Sequence, residues 1–539
     1  MTTHHRWLLV AAAALAGCGG SALGAPPATD SSDWSAYNRT LAGDRYSPLG
    51  EITGANVGQL ALRCAFTLPE LVSFQTGPLV VGGTMYFTTF EASYAIDASS
   101  CTQKWSRHDK QPGPPGLAVN RGFAYLDGRL FRGTADAHVI ALDAADGHPL
   151  WERALPVGGP GISIPMAPIA ANGRVYVGNA GGDTAGVTGH VYALDARDGH
   201  VIWRFDVVPE TGRARTTWTN QRLPVSGGAF WTSFTLDEAK GILYVPAGNP
   251  APDFDVLDRT GEDLYADSVI ALDAASGRIL GYNQLVKHDS HDWDVDSAPM
   301  LATTRDGRRI IASANKDGLL SILDRSKLDV AAAAAAETVP IIPLRSQTPT
   351  TTRANVDVPL SREHPVHFCP GMGGGTEWNG AAFSPRTDSL FVGAVDLCAH
   401  VQLVRALAVP AAGEVWFGSS GSMADMTDAP DTARGWVTAF DAENGRVRWK
   451  FKAPHPIVAG VTPTGGDLVF AADLGGDVFA LDQENGRVLW QVGTGQSIGG
   501  GLVVYRAGGH ELLGVASGMK SFAWPGSANK SRILIYGLR

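Results

Sequence analysis

A short acidic segment, His288–Pro299, is the part of the chain with the highest density of side chains that can perform chemistry. It reads HDSHDWDVDSAP and places Asp289, Asp292, Asp294 and Asp296 with two histidines within nine residues. Carboxylates two residues apart share one face of an extended segment. Clusters of oxygen ligands favour hard cations such as Ca²⁺. The segment therefore predicts a cation site, although a solvated acidic turn has the same composition.

Three other segments carry polar or aromatic residues where strands are expected to end. Asn249 follows a glycine in GNPAPDF, Trp231 follows two glycines in GGAFW, and Asp183 ends the glycine-rich GNAGGD. Asn249 can bind a metal or make an Asx turn, and Trp231 can present a flat ring face or belong to the core. The loop ending at Asp183 lacks the lysine and following helix of a nucleotide-binding loop.

The elements that must position these residues form a repeat. Five copies, such as YALDARDGHVIW and FALDQENGRVLW, place a tryptophan eight residues after an aspartate. A sixth copy keeps Asp273 and Gly277 but has Gly281 in place of the tryptophan, and a seventh keeps only Asp324. The aspartates of the seven copies are Asp97, Asp143, Asp195, Asp273, Asp324, Asp441 and Asp482. An alternating strand, a capped turn and a second strand per copy are typical of a β-propeller blade. The repeated tryptophans are interpreted as packing between blades.

The spacing of the copies predicts an all-β fold, an eight-bladed β-propeller with tryptophan-docking repeats. Most intervals equal one blade, but 117 residues separate Asp324 from Asp441, so we expect an eroded copy near Leu390–Leu397. Residues 34–67 and 532–538 should share one sheet and close the ring. A ligand is expected where loops from all blades converge.

The N-terminus has the features of an export signal. Arg6 is followed by an apolar stretch, Trp7–Ala16, and by the sequence LAGC that ends at Cys18. Small residues before a cysteine resemble a lipobox, so residues 1–18 are predicted as a lipoprotein signal with Cys18 as the lipidated residue. Residues 19–33 are then a tether and 34–539 one propeller. Ordinary secretory cleavage near Ala25 is the alternative. We expect a periplasmic protein whose only membrane contact is a lipid anchor in the outer membrane.

The remaining four cysteines fit an oxidising compartment. Three pairings are possible, and we favour Cys64–Cys101 and Cys369–Cys398 because each closes a modest loop. The sequence has no C-x-x-C motif for attachment of a c-type haem, so any electrons must pass to a separate carrier.

Composition narrows the classes of partner. The 539-residue chain has a formal net charge of −10 and no long basic run, which argues against nucleic-acid binding. Its apolar fraction, 44%, is ample for a large core, and no long apolar run follows the N-terminal one.

Four longer motifs resemble those of the pyrroloquinoline quinone (PQQ)-dependent alcohol dehydrogenases, eight-bladed quinoproteins that include methanol, ethanol and polyvinyl alcohol dehydrogenases. The motifs are GDRYSPL at 43–49, NRGFAYLDGR at 120–129, GDLVFAADLGGDVFALD at 466–482 and GVASGM at 514–519. The resemblance covers nearly the whole chain after residue 33. It implies a periplasmic enzyme that oxidises an alcohol to an aldehyde or ketone and passes electrons to a cytochrome c or similar acceptor.

The resemblance also implies roles for individual residues. Asp294 is the expected catalytic base. The expected cofactor-binding residues are Gln75, Arg121, Trp231, Lys316 and one or both of Glu377 and Asn379. The expected metal ligands are Asp183, Asn249, Asp294 and Asp296. Trp231 would be the floor on which the quinone stacks, and Lys316 would lie beside the quinone carbonyls. Asp296 occupies the place of an extra aspartate found in lanthanide-using members, so the cofactors are PQQ with Ca²⁺, or with a lanthanide ion.

The sequence departs from the family in ways that bear on the substrate. The paired cysteines that cover the quinone in many members are absent, since residues 116–119 occupy that stretch. Val458 stands where methanol enzymes have a tryptophan, and Asp183 replaces a longer glutamate. A more open site, suited to larger alcohols, is expected.

Two other functions compete with the enzyme. Outer-membrane lipoproteins that act as assembly scaffolds are also eight-bladed propellers, but they do not need Trp231, Asn249, Asp294 and Lys316. A quinoprotein that binds a sugar or a metal without turnover is the third possibility.

Overall fold

The computed structural model describes residues 1, 32–109, 118–156, 160–219, 222–334, 338–521, 524 and 526–539. The expected signal and Cys18 lie outside the described residues, as do residues 19–31 of the expected tether, so these remain predictions. In the part of the chain that is described, no helix is long and apolar enough to cross a bilayer.

The described chain is built from eight four-stranded antiparallel sheets, each one blade of the ring. Strand β1 (Leu60–Thr67) belongs to the last blade. Blades 1 to 3 consist of β2 (Leu79–Val81), β3 (Thr84–Thr88), β4 (Ala92–Asp97) and β5 (Gln103–His108); β6 (Ala124–Leu126), β7 (Arg129–Gly133), β8 (His138–Asp143) and β9 (Pro149–Ala154); and β10 (Ile169–Ala171), β11 (Arg174–Gly178), β12 (His190–Asp195) and β13 (Val201–Asp206).

Blades 4 and 5 carry the acidic segment between them. They contain β14 (Ser226–Gly227), β15 (Thr235–Asp237), β16 (Ile242–Ala247), β17 (Pro250–Ala251), β18 (Ser268–Asp273) and β19 (Ile279–Gln284); and β20 (Met300–Thr303), β21 (Arg309–Ala314), β22 (Leu319–Asp324) and β23 (Leu344–Pro349). Strands β14 and β17 pair with each other beside blade 4.

Blades 6 to 8 complete the ring. They contain β24 (Val366–Phe368), β25 (Ala381–Ser384), β26 (Ser389–Asp396), β27 (Ala399–Val401), β28 (Arg434–Asp441) and β29 (Val447–Ala453); β30 (Thr462–Pro463), β31 (Leu468–Ala472), β32 (Asp477–Asp482) and β33 (Val488–Gly493); and β34 (Leu502–Ala507), β35 (His510–Ser517) and β36 (Arg532–Leu538) with β1. Short helical turns are Val57–Gln59, Arg213–Thr216, Val330–Ala334, Met423–Met426 and Pro430–Thr432.

The ring closes through blade 8, as expected. Strand β1 pairs with β36, from Leu60 opposite Leu538 to Thr67 opposite Arg532. The expected eroded copy near Leu390–Leu397 is wrong. That segment is β26, the second strand of the blade whose third strand ends at Asp441. The long interval after Asp324 comes from two insertions, one between blades 5 and 6 that contains β24 and one between the second and third strands of blade 6 that contains β27, and these two strands pair with each other. The closing blade is the eighth.

The repeated tryptophans pack between neighbouring blades. The indole Nε1 of Trp203, in blade 3, donates to the carbonyl of Ala274 in blade 4 at 3.2 Å. Gly277 of the same turn has a φ of +74°, and a Cβ there would lie 2.5 Å from the Trp203 ring. Trp105, Trp151 and Trp449 make the same contact with the next blade. The packing interpretation is confirmed.

Both expected disulfides are present in the structure. Cys64 in β1 bonds to Cys101 of blade 1, so this disulfide joins the last blade to the first. Cys369 bonds to Cys398 and ties together the two insertions that contain β24 and β27. By loop-closure entropy each bond stabilises the fold by about 3–4 kcal/mol.

Candidate active site

The predicted site residues occupy two equivalent places in the repeat. Gln75, Arg121, Trp231, Asp294 and Glu377 each precede the first strand of a blade, namely β2, β6, β15, β20 and β25. Asp183, Asn249 and Lys316 lie between the second and third strands of blades 3, 4 and 5. In a four-stranded antiparallel blade, the beginning of the first strand and the loop between the second and third strands lie at the same end of the sheet. The first strands are fully buried, whereas the fourth strands are partly exposed, so these residues meet near the hub.

Asp294 is the residue on which three other predicted site residues converge. Its Oδ1 accepts hydrogen bonds from the Trp231 indole Nε1 at 3.3 Å and from the backbone N–H of Asn249 at 3.0 Å. Its Oδ2 lies 2.6 Å from the Lys316 ammonium. The side chain is buried. Gly248 permits this approach, because a Cβ at that position would lie 2.2 Å from Oδ1 of Asp294.

Two indoles and a guanidinium form the aromatic part of the site. The Arg121 guanidinium carbon lies 4.8 Å from the ring centroid of Trp231 and 4.9 Å from that of Trp378, and Nη1 donates to the Trp231 carbonyl. Lys316 Nζ lies 5.7 Å from the Trp231 ring. Cations over an indole face are attracted by the ring quadrupole. Burial lowers the pKa of Arg121 to about 10, a value that keeps the guanidinium charged at neutral pH.

Carboxylates outnumber cations around Lys316. Burial, and then the charge of Asp294, raise the pKa of Asp183 to about 6. Burial also raises the pKa of Asp292 well above its usual value, although Lys316 opposes that effect. Burial alone would lower the pKa of Lys316, but surrounding carboxylates, with Asp292 and Asp294 first among them, raise it well above its usual value. Lys316 is therefore a permanent cation in an environment with excess negative charge.

The structure groups three of the four predicted metal ligands together. The Asn249 side chain lies near enough to Asp183 to oppose the rise in the pKa of that carboxyl, and the Asn249 backbone N–H donates to Oδ1 of Asp294. Asp296 is also buried, but the charge that acts on it most strongly is that of Glu377. Within the described chain, neither carboxylate oxygen of Asp296 has a hydrogen-bond partner. Buried carboxylates without partners are costly unless a cation or a proton compensates them.

The predicted cofactor-binding residues differ in the hydrogen bonds that their side chains make within the protein. Asn379 donates to the Val458 carbonyl at 2.6 Å and accepts from the Tyr37 hydroxyl at 3.1 Å, so its side chain links separate segments of the fold. Glu377 keeps one oxygen without a partner among the residues the structure describes, and so does Gln75. Burial raises the pKa of Glu377 to about 7. Of the two alternatives, Glu377 has the side chain that is free to face the site.

Trp378 contributes to the site, and Asp253 is buried in the loop that carries Asn249, but neither residue received a predicted role. Asp253 follows Asn249 by four residues in the same polar loop, and Trp378 directly follows Glu377. Arg121 and Trp378 are more than 250 positions apart in the chain, so their contact exists only because the ring brings blades 2 and 6 to one hub. The signal in the sequence that could have identified these two residues was their position next to predicted site residues in the chain.

The fold and the site together define an eight-bladed propeller with a buried acidic and aromatic centre. Comparison with known families shows a match of residues 34–327, more than half of the chain, to the model described as the PQQ glucose/ethanol/alcohol dehydrogenase β-propeller domain. The chain therefore belongs to this family, which confirms the quinoprotein alcohol dehydrogenase class expected from the sequence. Residues 433–520 also match the model of the outer membrane protein assembly factor BamB.

Individual relatives agree with the family. The chain is 28% identical to the quinohemoprotein alcohol dehydrogenase ADH IIB of Pseudomonas putida, over 94% of this chain and 77% of that protein. It is 27% identical to the lanthanide-dependent methanol dehydrogenase of Methylacidiphilum fumariolicum, over 82% of this chain and 77% of that protein. The crystal structure of the quinohemoprotein alcohol dehydrogenase from Comamonas testosteroni matches the fold with a TM-score of 0.83 at 24% identity, covering 94% and 80% of the two chains.

The side chains at the hub fit both groups that the family implies. PQQ is a planar, polyanionic quinone, and the site offers an indole face, the cations of Arg121 and Lys316, and an indole N–H of Trp378 that lacks a partner in the described chain. The oxygens of Asp183, Asn249 and Asp294 form the donor set that a hard cation prefers.

Proposed function

We propose that the protein oxidises an alcohol to an aldehyde or ketone with PQQ and a bound hard cation, and passes the electrons to a separate carrier. The observation that carries this proposal is the convergence of Trp231, Asn249 and Lys316 on the carboxylate of Asp294. A planar stacking face, cation ligands and a candidate base are thereby in contact.

Asp294 has the position of a general base. Proton removal by a positioned carboxylate is effective when the group is held ionised within hydrogen-bond reach of the substrate. The ammonium of Lys316 lies 2.6 Å from Oδ2, and two N–H donors hold Oδ1, so the orientation of the carboxylate is fixed. The carboxylate can therefore take the proton of a substrate hydroxyl while the carbon-bound hydrogen leaves as hydride. PQQ, when bound, supplies the hydride acceptor and the redox chemistry.

The other side chains bind and orient. Trp231 would hold the plane of the quinone, while Arg121 and Lys316 would balance its negative charge. Asp183 and Asn249 would hold the cation with Asp294, either Ca²⁺ or a trivalent lanthanide. The named relative that depends on a lanthanide supports the second ion.

The two disulfides support our proposal for the compartment of the protein. Two disulfides in a chain of this size are typical of an oxidising compartment, which supports a periplasmic location. We propose a c-type cytochrome or a similar protein as acceptor, and Cys18 as a lipid anchor to the outer membrane. Relatives named as quinohemoproteins pair the same fold with haem, which supports a cytochrome as the acceptor.

The test is reconstitution of the purified protein with PQQ and either Ca²⁺ or La³⁺, followed by dye reduction with a panel of alcohols that includes polyvinyl alcohol. We expect alcohol-dependent reduction that requires both PQQ and the cation. Tight PQQ binding without turnover of any alcohol would favour a non-catalytic binder, and no PQQ binding would overturn the proposal.

A further inference from the structure

Two irregular parts of the chain carry Asn249 and Asp294. The blade 4 loop, residues 248–267, carries Asn249 and contains only the two-residue strand β17. The acidic segment, His288–Pro299, carries Asp294 and contains no strand, and the structure describes all of it. Buried backbone carbonyls that no sheet pairs need donors from elsewhere. The relative position of the two residues therefore depends on contacts outside the four-stranded blades.

One buried guanidinium, that of Arg259, donates hydrogen bonds to both parts. Its Nε donates to the Pro252 carbonyl at 3.2 Å, and its Nη2 donates to the carbonyls of Asp253, at 3.4 Å, and of Asp289. The first two carbonyls belong to the blade 4 loop, and the third belongs to the acidic segment. Arg259 is only 5% exposed. A single side chain thus connects the loop to the segment.

A buried ion pair fixes the position of this guanidinium. Its Nη1 donates to Oδ2 of Asp263 at 2.7 Å, and both side chains are buried. A guanidinium is planar and holds its five N–H donors in a rigid fork. An ammonium has the same charge but offers its donors from one atom, so a lysine at position 259 cannot make all these bonds together.

The bond to the acidic segment leads directly to the proposed base. The carboxylate of Asp289 accepts hydrogen bonds from the backbone N–H groups of His291 and Trp293, both at 3.0 Å. Trp293 is followed by Asp294 in the chain. Burial raises the pKa of Asp289, and the N–H of Trp293 and the charge of Arg259 oppose that rise. Arg259 therefore holds the turn from which Asp294 extends.

The fit between the loop and the segment leaves little room for displacement. A Cβ at Gly248 would lie 2.2 Å from Oδ1 of Asp294, and the N–H of Asn249 donates to the same oxygen at 3.0 Å. A misplacement of about 1 Å in an active site can cost about 100-fold in rate. A contact that sets the separation of these two parts therefore bears on the reaction itself.

We propose that Arg259 is a positioning residue of the candidate site, which holds the blade 4 loop against the acidic segment and so sets the separation of Asn249 and Asp294. This inference rests on the proposed function, because it requires Asp294 as the base and a cation site beside Asn249. The hydrogen bonds of Arg259 go to Asp263 and to backbone carbonyls, so it acts on the site through the two parts that it joins.

The test compares Arg259→Lys with the wild type, as full chains reconstituted with PQQ and whichever of CaCl₂ or LaCl₃ supports turnover of the wild type. We expect kcat for alcohol-dependent dye reduction to fall about tenfold or more, the scale on which contacts beyond the metal ligands act. The Kd for the same cation should rise by a similar factor, measured by isothermal titration calorimetry after treatment with EDTA and with saturating PQQ. The KM for the alcohol and the Kd for PQQ should change less.

The matched control is Arg325→Lys. Arg325 is also buried, and it donates from Nη1 to Oδ2 of Asp237 at 2.6 Å and from Nε to the Ile310 carbonyl at 3.1 Å. Asp237 ends β15, whereas Trp231 precedes that strand, so these bonds lie at the opposite end of the blade from the site. The control removes the same kind of contact and should lower Tm while kcat and the Kd for the cation stay unchanged.

A second variant, Asp263→Asn, tests the same role without replacing the arginine. It keeps an oxygen that can accept from Arg259 but removes the charge that anchors the guanidinium. We expect kcat and the Kd for the cation to change in the same direction as in Arg259→Lys, by a smaller factor. This variant decides the question if Arg259→Lys does not fold.

The possible failures have different signatures. If the wild type neither oxidises an alcohol nor binds a cation, the proposed function falls and the inference falls with it. If the wild type is active and both Arg259→Lys and Asp263→Asn keep its kcat and its Kd for the cation, only the positioning role falls. Equal losses of kcat in Arg259→Lys and Arg325→Lys would reveal a general effect of lower stability and would also overturn that role.

Discussion

The ammonium of Lys316 lies 2.6 Å from Oδ2 of Asp294, and both side chains are buried. The same ammonium is 3.1 Å from Oδ1 of Asp292, so one cation holds two carboxylates of the acidic segment in place. Buried ion pairs cost desolvation and are kept in proteins for specificity or function. Here the pair fixes the orientation of the carboxylate that faces the Trp231 indole and the Asn249 loop.

Asp294→Asn should abolish most of the turnover and leave PQQ binding intact. The amide oxygen can still accept from Trp231 and Asn249, but the variant has no ionised oxygen to take a proton. We expect kcat to fall by about 100-fold or more, within the range of general base catalysis. Steady-state dye reduction measures the loss, and absorbance of bound PQQ confirms loading. Normal turnover with Asp198→Asn, which makes the same chemical change at an exposed turn, is the control, and normal turnover with Asp294→Asn would remove the assigned base.

Trp231→Leu should weaken PQQ binding by about tenfold, because aromatic stacking adds about 0.5–1.5 kcal/mol to the area buried. Trp231→Phe keeps a flat face and should lose less. Isothermal titration calorimetry with the cation-loaded proteins measures the Kd for PQQ of the wild type and of the two variants. If leucine and phenylalanine variants bind as tightly as the wild type, the quinone does not stack on this residue.

The repeat was sufficient to predict the blades, since each copy contains a complete local unit: an alternating strand, a capped turn and a docking tryptophan. The count of eight blades was right, but the 117-residue interval misplaced the blade that lacks a recognisable copy, because an insertion and an eroded copy lengthen the interval alike. Only strand pairing separates them, and Leu390 pairs with Phe440 of the next strand in the same blade.

The resemblance of the sequence to the family located most of the candidate site. Only the structure shows which buried carboxylates have no hydrogen-bond partner among the described residues. Asp253 stands in a Pro-Asp-Phe sequence typical of an exposed turn. Its complete burial depends on contacts of its loop with Trp416 and Phe417, more than 150 residues away. No local pattern encodes such a contact.

Gly277→Ala should destabilise the ring more than Gly173→Ala. The two glycines have nearly the same φ, +74° and +72°, so the backbone strain of an alanine is alike. A Cβ at position 277 would lie 2.5 Å from the Trp203 ring, whereas nothing described lies within 4 Å of a Cβ at 173. Overpacking of this kind costs about 1–3 kcal/mol. Urea unfolding of both variants measures the difference in the free energy of unfolding. Equal losses would show that the Trp203 ring moves aside without destabilising the fold.

Asp317→Asn should change how stability depends on pH. Burial raises the pKa of Asp317 to about 7, while the N–H of Leu319 and the charge of Arg353 partly oppose that effect. The folded state therefore holds the proton more tightly than the unfolded chain, whose aspartate has a pKa of about 3.9. The contribution of this group is fully present below pH ~4 and is lost as the pH rises through ~7.

The asparagine variant keeps an oxygen for Leu319 and cannot ionise, so it escapes that loss. We expect its Tm to match the wild type near pH 4.5 and to exceed it at pH 8, with the gap opening mainly between these values. His291, whose pKa burial lowers to about 4, affects both proteins alike, so comparison at each pH removes its contribution. Differential scanning calorimetry across this range measures the gap. A difference in Tm that does not vary with pH would mean that Asp317 does not titrate in the folded protein in this range.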